Sequence, residues 1–575
     1  MSGQPVELLD NSAFYPGPTA VAAPSFRGSL RISRTRMQFA PELADPLVGG
    51  RDARLFPGVE LNFYTLGEVL VPVQRGQIAG EDSLSYWSVI PQFGRVWRDV
   101  DAGADADSQS GWSNAAFPLM LVNDRENHAH QGLASFRYRD GRVSELRFQF
   151  VQQTSPYLLK QHFVAWGSAH VEISDLTAAA DPAVADSAAA QRELAARLPH
   201  RPWSELTSQV SPGALDGFGG PLDPKWTVAT ALVRDGTLYY GESPTPCGPY
   251  SYPLEMRFGV RSVMKGIAAP LSLLRLAQLH GPEVLNAKIG QYVPGLHPKF
   301  DSVRFIDAAN MATGFGGTGT LRTQPNDFED GYLEADYDGW YTAASHAQKL
   351  EHMAKWLKPY PWEPGAVARY RDQDYYVLGA AVDAFLKSVR GPDADVWDML
   401  REEVFAPIGI AAAPAARSRE PGGKRGLLLF SAGYFPTLDD IAKIALLYQG
   451  RGEWCGLQIL HRELTQELLA GQGAIAKNGG SAGAGAAYKM GFHFTPYRSQ
   501  SDGRLYRLPN LWGAGESEVI LYPNGLVSIQ IGKAAGVPAG GKYFTGEGPQ
   551  TIQAVERLGP LGFDRPGSLG ADRPA

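Results

Sequence analysis

Ser262 and Lys265 are the residues whose types and spacing most directly suggest chemistry. They stand in the segment Arg261 to Gly266, which the largely apolar run from Ile267 to Leu279 follows. Residues three apart share one face of a helix, so the hydroxyl and the amine can meet. Serine becomes a nucleophile only with a base nearby, and a helix N-terminus adds positive potential and unpaired N–H groups. Since Ser-x-x-Lys arises by chance about once in a chain of this size, a helix serine beside a solvated lysine is the alternative.

Composition narrows the class of protein. With 575 residues the chain exceeds one ordinary core, which predicts two or more domains. A net charge of −7 gives no electrostatic footprint for nucleic acid. The two cysteines, Cys247 and Cys455, argue against a disulfide scaffold and a Cys-rich zinc module. No secretory signal and no apolar run long enough for a membrane span is visible, so we expect a cytoplasmic protein.

Patterning along the chain predicts the following domain organisation. Residues 1–40, rich in Pro, Ser and Arg, are expected to form an irregular arm, and residues 41–175 a β-rich domain. An Ala-rich stretch predicts a helical connector over residues 176–205. Residues 206–560 are expected to form a second domain, and residues 561–575 a flexible tail.

The second domain begins and ends with strand patterns. A hairpin is predicted around Asp235-Gly236, and another joins Glu518–Tyr522 to Leu526–Ile531. Helices are predicted over Val377–Val389 and Leu438–Gln449. This order predicts an α+β fold in which one antiparallel sheet is built from both ends of the domain and covered by helices.

A second motif gives the serine a context. Glu363-Pro364-Gly365 is followed, after four residues, by Tyr370-Arg371-Asp372 and then by an apolar stretch ending in Leu378-Gly379. Together with Ser262 and Lys265, this order resembles the serine β-lactamase-like hydrolases, which include class C β-lactamases, D-alanyl-D-alanine carboxypeptidases, esterases and amidases. The resemblance covers residues 206–560. It implies a serine hydrolase with a β-lactamase-like sheet flanked by helices, which cleaves an ester or amide of a small molecule through an acyl-enzyme on Ser262, without cofactor or metal.

The resemblance also assigns roles to the remaining catalytic residues. A tyrosine is no base at neutral pH unless its phenolate is stabilised, and Lys265 beside Ser262 and Tyr370 could supply the opposite charge. Tyr370 would then take the proton of Ser262 and pass it to the leaving group. Whether Lys265 or Tyr370 is the true base stays open. The alternative for Tyr370 is a packed tyrosine after a turn.

Two departures from the family pattern bear on the substrate. Asp372 stands where the family has an asparagine, and it could pair with Lys265 or repel a substrate carboxylate. The family's Lys- or His-Thr-Gly strand motif has no clean copy; the nearest segment, Leu511 to Glu516, offers Trp512 at the cationic position, although a shifted alignment is possible. We therefore predict neutral esters or amides as substrates. The predicted substrate-binding and oxyanion residues are Asp372, Trp512, Gly513, Ala514 and Gly515, whose small members let a backbone N–H approach the oxyanion beside that of Ser262.

The sequence is also compatible with two other functions. A β-lactamase or D-alanyl-D-alanine peptidase is the first alternative, and a catalytically silent binding protein on the same scaffold is the second. His128 and His130 could share a strand face, but no familiar spacing supplies further metal ligands. The segments Gly479–Gly483 and Gly314–Gly319 match a nucleophile elbow and a dinucleotide fingerprint, but their sequence context fits neither. The oligomeric state and the role of the first domain are not predicted.

Overall fold

The computed structural model describes residues 6–99, 111–176, 184–220, 224–316, 337–478, 485–534 and 549–562. Two large sheets dominate these residues, one before and one after position 184. We call residues 6–176 the first region and residues 184–562 the second region. The tail predicted from residue 561 lies almost wholly outside the described residues.

The first region contains a sheet with 14 described strands, all paired antiparallel. Its turn at Asp140-Gly141 has positive φ at both residues, 48° and 72°, as the tightest hairpin turns require. The strands in chain order are Ala20–Val21, Arg27–Ile32, Gln38–Ala40, Val59–Leu66, Val69–Pro72, Ile78–Ala79, Ser88–Pro91, Gly94–Asp99, Ser113–Val122, His130–Arg139, Arg142–Val143, Leu146–Gln153, Val164–Ala169 and Val171–Ser174.

The expectation of an irregular arm over residues 1–40 has to be corrected. Strand Arg27–Ile32 lies inside the first sheet, between Val59–Leu66 and Val171–Ser174. Leu30 and Ile32 are fully buried and two residues apart, so they share the face of the strand that meets the core. The surrounding Pro, Ser and Arg residues concealed this short alternation.

The second region contains a sheet with nine described strands. Strand Thr227–Arg234 pairs antiparallel with Val527–Gly532, so the two ends of the region meet as predicted. The strands in spatial order are His200–Pro202, Thr237–Tyr240, Thr227–Arg234, Val527–Gly532, Ser517–Leu521, Leu505–Gly513, Phe492–Arg498, Ala487–Lys489 and Ile475–Ala476. Short two-stranded ladders elsewhere join Thr35–Arg36 to Leu55–Phe56, Leu47–Val48 to Arg51–Asp52, Pro244–Thr245 to Gly248–Pro249, Phe315–Gly316 to Lys358–Pro359, and Glu453–Trp454 to Leu457–Gln458.

Helices cover both faces of the second sheet. The described helices of the second region are α1 Val184–Ala195, α2 Trp203–Gln209, α3 Lys265–His280, α4 Ile289–Tyr292, α5 Phe305–Ala309, α6 Tyr337–Thr342, α7 His346–Trp356, α8 Asp372–Arg390, α9 Val396–Leu400, α10 Leu438–Gln449, α11 Arg462–Leu469 and α12 Pro549–Leu558. Of these, α1 packs on the first region, where Ala190 joins Tyr64, Val71 and Phe93. At α10, Asp440 N donates to Thr437 Oγ1 and Thr437 N donates to Asp440 Oδ2, a reciprocal cap that fixes where the helix begins. Among the described helices, none combines the length and the apolar character that a bilayer span requires.

Helix α3 lies directly on the second sheet because glycine stands at the contact. A Cβ placed on Gly491, where φ is +87°, would come within 2.4 Å of the backbone nitrogen of Gly266. A Cβ on Gly513 would lie 2.3 Å from the carbonyl oxygen of Val260. Any side chain at these positions would lift the N-terminal end of α3 from the strands.

The two regions share one hydrophobic core. Side chains of the first region, Phe14, Trp97, Ala116, Leu133 and Val151, belong to the same buried cluster as α3, α8 and α10. Tyr250 Oη donates to the carbonyl of Gly132 at 2.7 Å, and Tyr252 Oη donates to that of Phe14 at 2.8 Å. The boundaries at 175 and 206 stay predictions, with α1 between them, but the regions on either side are not packed independently.

Candidate active site

Ser262 lies in a turn of 3-10 helix, Arg261–Met264, that continues into α3. The residue is 8% exposed and sits at the N-terminal end of an otherwise buried helix. Lys265, the first residue of α3, donates from Nζ to Ser262 Oγ at 2.6 Å. The contact between the serine hydroxyl and the lysine amine, which the three-residue spacing predicts, is therefore present.

The Lys265 ammonium has a carboxylate partner. Its Nζ lies 2.6 Å from Asp372 Oδ1 and also donates to the carbonyl of Ser431 at 3.3 Å. The side chains of Lys265 and Asp372 are only 1% and 5% exposed. Of the two roles that the sequence suggested for Asp372, pairing with Lys265 is thus observed. The ion pair compensates a charge that would otherwise be costly to bury.

Tyr370 stands two residues before α8, and its ring lies beside the Lys265 ammonium. Its ring centroid lies 4.7 Å from Lys265 Nζ, a cation–π distance, and the residue is 1% exposed. Ser262, Lys265, Tyr370 and Asp372 therefore converge. The role of the Tyr370 hydroxyl as a base stays a prediction.

His493 and Lys477 were missed by the sequence reasoning. The ring of His493 lies 5.7 Å from that of Tyr370, and its Nδ1 is 2.7 Å from Lys477 Nζ. Burial, together with the charges of Lys477 and Lys265, holds the pKa of His493 well below its usual value. The imidazole is therefore neutral, with the Lys477 amine at its Nδ1. A histidine inside the apolar strand Phe492–Arg498 is the only local signal that could have indicated it.

Tyr337 was also missed. This first residue of α6 donates from Oη to Asp372 Oδ2 at 2.7 Å. Burial and the negative charge of Asp372 raise the pKa of Tyr337 well above its usual value, so it stays a neutral donor. Both carboxylate oxygens of Asp372 are thereby engaged, one by Lys265 and one by Tyr337.

The strand that ends at Gly513 meets the serine turn. Leu511 contacts the helix at Gly266, and Gly513 contacts Val260 and Val263, so these two residues face α3. Because side chains alternate along a strand, Trp512 projects from the opposite face, where it is 7% exposed. The turn that begins at Ala514 follows the end of this strand directly. The substrate-binding and oxyanion roles predicted for Trp512, Gly513, Ala514 and Gly515 stay predictions.

Arg371 is held away from any substrate. Its guanidinium donates from Nη2 to Asp374 and to Thr313 Oγ1, each at 2.9 Å, and its side chain is 1% exposed. It is thus the buried partner of Asp374 at the start of α8.

The His128-Ala129-His130 segment is buried in the first region. The two imidazole rings lie 4.2 Å apart, and His130 stacks on Phe163 at 4.3 Å. Among the described residues, no group of three or more His, Cys, Asp or Glu side chains is arranged to hold a metal ion. The glycine-rich segment Gly479–Gly483 and residues 317–319 of the other motif lie outside the described residues.

Comparison with known proteins gives structural matches only. No family model matches the chain, and no curated protein matches it. A class C β-lactamase is 15% identical, with 62% of this chain and 96% of that chain covered and a TM-score of 0.40. A family VIII carboxylesterase is 16% identical (57% and 90% covered, TM-score 0.37), and so is an octameric penicillin-binding protein homologue from Pyrococcus abyssi (54% and 70% covered, TM-score 0.37). At identities and TM-scores this low, the matches assign no role to any side chain of this chain.

Proposed function

We propose that this protein is a serine hydrolase that cleaves an ester or amide bond of a small molecule through an acyl-enzyme on Ser262. The observation that supports this most is the 2.6 Å contact between Lys265 Nζ and Ser262 Oγ. It lies at the N-terminal end of a buried helix, with the Tyr370 ring 4.7 Å from the same ammonium. A nucleophile, a cation and a candidate base thus share one small site.

The proposed reaction assigns a step to each of these residues. Ser262 Oγ attacks the carbonyl carbon of the substrate while its proton passes to the base. The proposed donors to the oxyanion that develops are the backbone N–H groups of Ser262 and of the Ala514-Gly515 turn. When the tetrahedral intermediate collapses, the base returns the proton to the leaving group. Water then releases the acyl group from Ser262 by the same steps.

The ion pair favours Tyr370 over Lys265 as the base. A carboxylate 2.6 Å from Lys265 Nζ stabilises the ammonium form, which has no lone pair with which to accept a proton. The same ammonium attracts a phenolate on Tyr370. Lys265 then acts as a fixed positive charge and a hydrogen-bond donor, and Tyr370 moves the proton.

The charges around Ser262 favour neutral substrates. Asp372 carries a negative charge beside Lys265, and Arg371 is occupied by Asp374. The strand residues that face α3 at this point, Leu511 and Gly513, carry no charge. We therefore propose a carboxylesterase or amidase rather than an enzyme that binds an anionic β-lactam.

The test is Ser262→Ala, with Ser272→Ala as the matched control. Ser272 is a fully buried serine of the same helix whose hydroxyl donates to the carbonyl of Ala268. Hydrolysis of a p-nitrophenyl ester and labelling by a fluorophosphonate should both be lost in Ser262→Ala, since loss of the nucleophile typically costs several orders of magnitude. Both should persist in Ser272→Ala.

The outcomes separate this proposal from its alternatives. Wild-type protein that neither hydrolyses the ester nor takes up the label would indicate a silent binding protein. Hydrolysis of a penicillin faster than of a neutral ester would indicate a β-lactamase or peptidase. Unchanged turnover in Ser262→Ala would refute Ser262 as the nucleophile.

A further inference from the structure

Asn127, a residue of the first region, packs directly against the chain that leads to Ser262. A Cβ placed on Gly259 would lie only 2.0 Å from the carbonyl oxygen of Asn127, so the two backbones are in contact. Asn127 Oδ1 accepts from the backbone nitrogen of Arg261 at 2.7 Å. Its Nδ2 donates to the carbonyl of Tyr434 at 3.2 Å. Asn127 is 1% exposed, so its amide is committed to these two bonds.

Arg261 needs this support because its backbone is strained. Its φ is +51°, a left-handed conformation that non-glycine residues rarely adopt and that persists only where the surroundings fix it. The guanidinium donates from Nη2 to the carbonyl of Ser155 at 2.5 Å and lies 3.8 Å from Glu126 Oε2. Both partners belong to the first region. The residue immediately before Ser262 is thus held through its backbone by Asn127 and through its side chain by Ser155 and Glu126.

Glu126 is itself firmly held. Tyr86 Oη donates to its Oε1 at 2.7 Å, and the backbone nitrogen of Leu158 donates to its Oε2 at 3.1 Å. Its side chain is wholly buried. It therefore ties the segment that carries Asn127 to the segment that carries Ser155 and presents a fixed negative charge to Arg261.

Ser155 reaches the other side of the site. A Cβ on Gly515, where φ is +95°, would lie 2.6 Å from Cβ of Ser155, so the turn after the strand rests on this residue. Ser155 Oγ also donates to the carbonyl of Ala534 at 2.9 Å, and the nitrogen of Ala534 donates to the carbonyl of Gly515 at 3.3 Å. One residue of the first region thus contacts both Arg261 and the Gly515 turn.

We infer that residues 126–127 and 154–158 of the first region form one wall of the catalytic cleft, with Asn127 and Ser155 as positioning residues. The wall holds the Ser262 turn and the Ala514-Gly515 turn at a fixed separation. This inference rests on the proposed function, in which those two turns carry the oxyanion donors. Such donors accelerate a reaction only when they are set in place before it begins, and small displacements are costly. The first region thereby gains a role in catalysis without supplying a reacting group.

Tyr157 extends the wall to the α6 segment. Its ring meets that of Tyr341 edge to face at 5.1 Å, and the Arg261 guanidinium lies 5.6 Å from its centroid. Its hydroxyl donates to Asp338 at the start of α6. The wall therefore also contacts the α6 segment, whose Tyr337 binds Asp372.

The inference is tested with Asn127→Ala and Ser155→Ala in the full chain, with Tyr250→Phe as the control. Tyr250→Phe also removes a bond between the two regions, that to the carbonyl of Gly132, but does not touch either turn. For Asn127→Ala we expect kcat on a p-nitrophenyl ester, and the rate constant of fluorophosphonate labelling, to fall on the order of 10²-fold, with KM little changed. Ser155→Ala should give a smaller fall in the same direction. Tyr250→Phe should lose melting temperature but keep kcat.

The measurements distinguish a positioning role from a merely structural one. If Asn127→Ala has the same kcat and the same labelling rate constant as Tyr250→Phe, the inference is overturned, while Ser262 remains the nucleophile. The inference is also overturned if Asn127→Ala differs from the wild type only in melting temperature or only in KM. If Asn127→Ala does not fold, the same comparison between Ser155→Ala and Tyr250→Phe decides. If the wild-type protein does not react with the fluorophosphonate, both the proposed function and this inference are refuted.

Discussion

Lys265 Nζ lies 2.6 Å from Asp372 Oδ1, and this contact sets the charge balance of the whole site. Both side chains are almost fully buried, and the ammonium also donates to Ser262 Oγ. A resident carboxylate thus offsets the positive charge that would assist proton transfer from the serine. The wild-type cleft is close to neutral around its nucleophile.

Asp372→Asn should move the acidic limb of the kcat/KM profile to lower pH. Removing the negative charge makes the Lys265 ammonium easier to deprotonate and a Tyr370 phenolate easier to form. The direction is therefore the same whichever of the two is the base. Since a buried ion pair is broken, unfolding free energy should fall by about 3–5 kcal/mol. A pH series with a neutral ester and a denaturant titration measure both.

Tyr337→Phe is the control for this change. It removes the other hydrogen bond to Asp372, at 2.7 Å, and leaves the charge in place. We expect its acidic limb to stay near that of the wild type. An acidic limb of Asp372→Asn that stays in place or moves to higher pH would show that Lys265 and Tyr370 are not the groups that titrate.

Tyr370→Phe should lower kcat/KM by about 10²–10⁴-fold, the usual contribution of general acid–base catalysis. The ring and its contact with Lys265 are retained, so the melting temperature should change little. The control is Tyr375→Phe, which removes a buried hydroxyl that donates to the carbonyl of Ala309 at 2.8 Å. It should cost about 1 kcal/mol of stability and little activity. Equal turnover in the two variants would take Tyr370 out of the mechanism.

Neutral esters should be turned over faster than matched esters with a carboxylate beside the scissile bond. Repulsion by Asp372 is on the order of 1–4 kcal/mol at about 4 Å, depending on the local dielectric. Asp372→Asn should narrow the gap in kcat/KM. The substrates must share one leaving group. Equal rates in the wild type would point to another cation, with Lys477 the first to test.

Stability should fall in acid through Glu126. Burial raises its pKa, but His128, Arg261 and Tyr86 more than offset this and lower it to about 2. A carboxyl with a depressed folded-state pKa stabilises the fold above its unfolded pKa and loses that contribution as pH falls from about 4.5 towards 2. Glu126→Gln should therefore be less stable than the wild type at neutral pH, and the difference should shrink towards about pH 3. Glu205→Gln, at a largely exposed site, should show no such trend.

The two regions should unfold in one transition, because they share a core that includes Phe14, Trp97 and Leu133. Calorimetry of the full chain should give a single peak. A fragment that begins near residue 200 should be unstable, since it lacks the first region and would expose Tyr250 and Tyr252, which that region covers. Two separated peaks, or a stable fragment released by limited proteolysis near residues 176–205, would contradict this.

Those residues of the candidate site that stand at a fixed spacing within a short motif could be predicted from the sequence. Ser262 and Lys265 meet because three residues make one helical turn, and Tyr370 and Asp372 follow a turn motif at a fixed distance. Asn127, Tyr337 and His493 could not be found this way. Each is a single polar residue that reaches the site through the packing of distant strands and helices, and spacing within its own segment does not place it beside Ser262.

The strand Arg27–Ile32 shows the same limit at the level of the fold. Only two apolar residues, Leu30 and Ile32, carry its alternation, and its place in the sheet depends on partners at residues 59–66 and 171–174. The hairpins at Asp140-Gly141 and Asp235-Gly236 were predictable because both strands and the turn are adjacent in sequence.

The glycine contacts under α3 decide how this cleft can be altered. Gly491 and Gly513 leave less than 2.5 Å between a would-be side chain and the backbone that carries Ser262. A library that randomises these positions would yield misfolded protein rather than new specificities. Useful diversity has to enter where a side chain can change without moving this backbone. The floor of the cleft is closed to change.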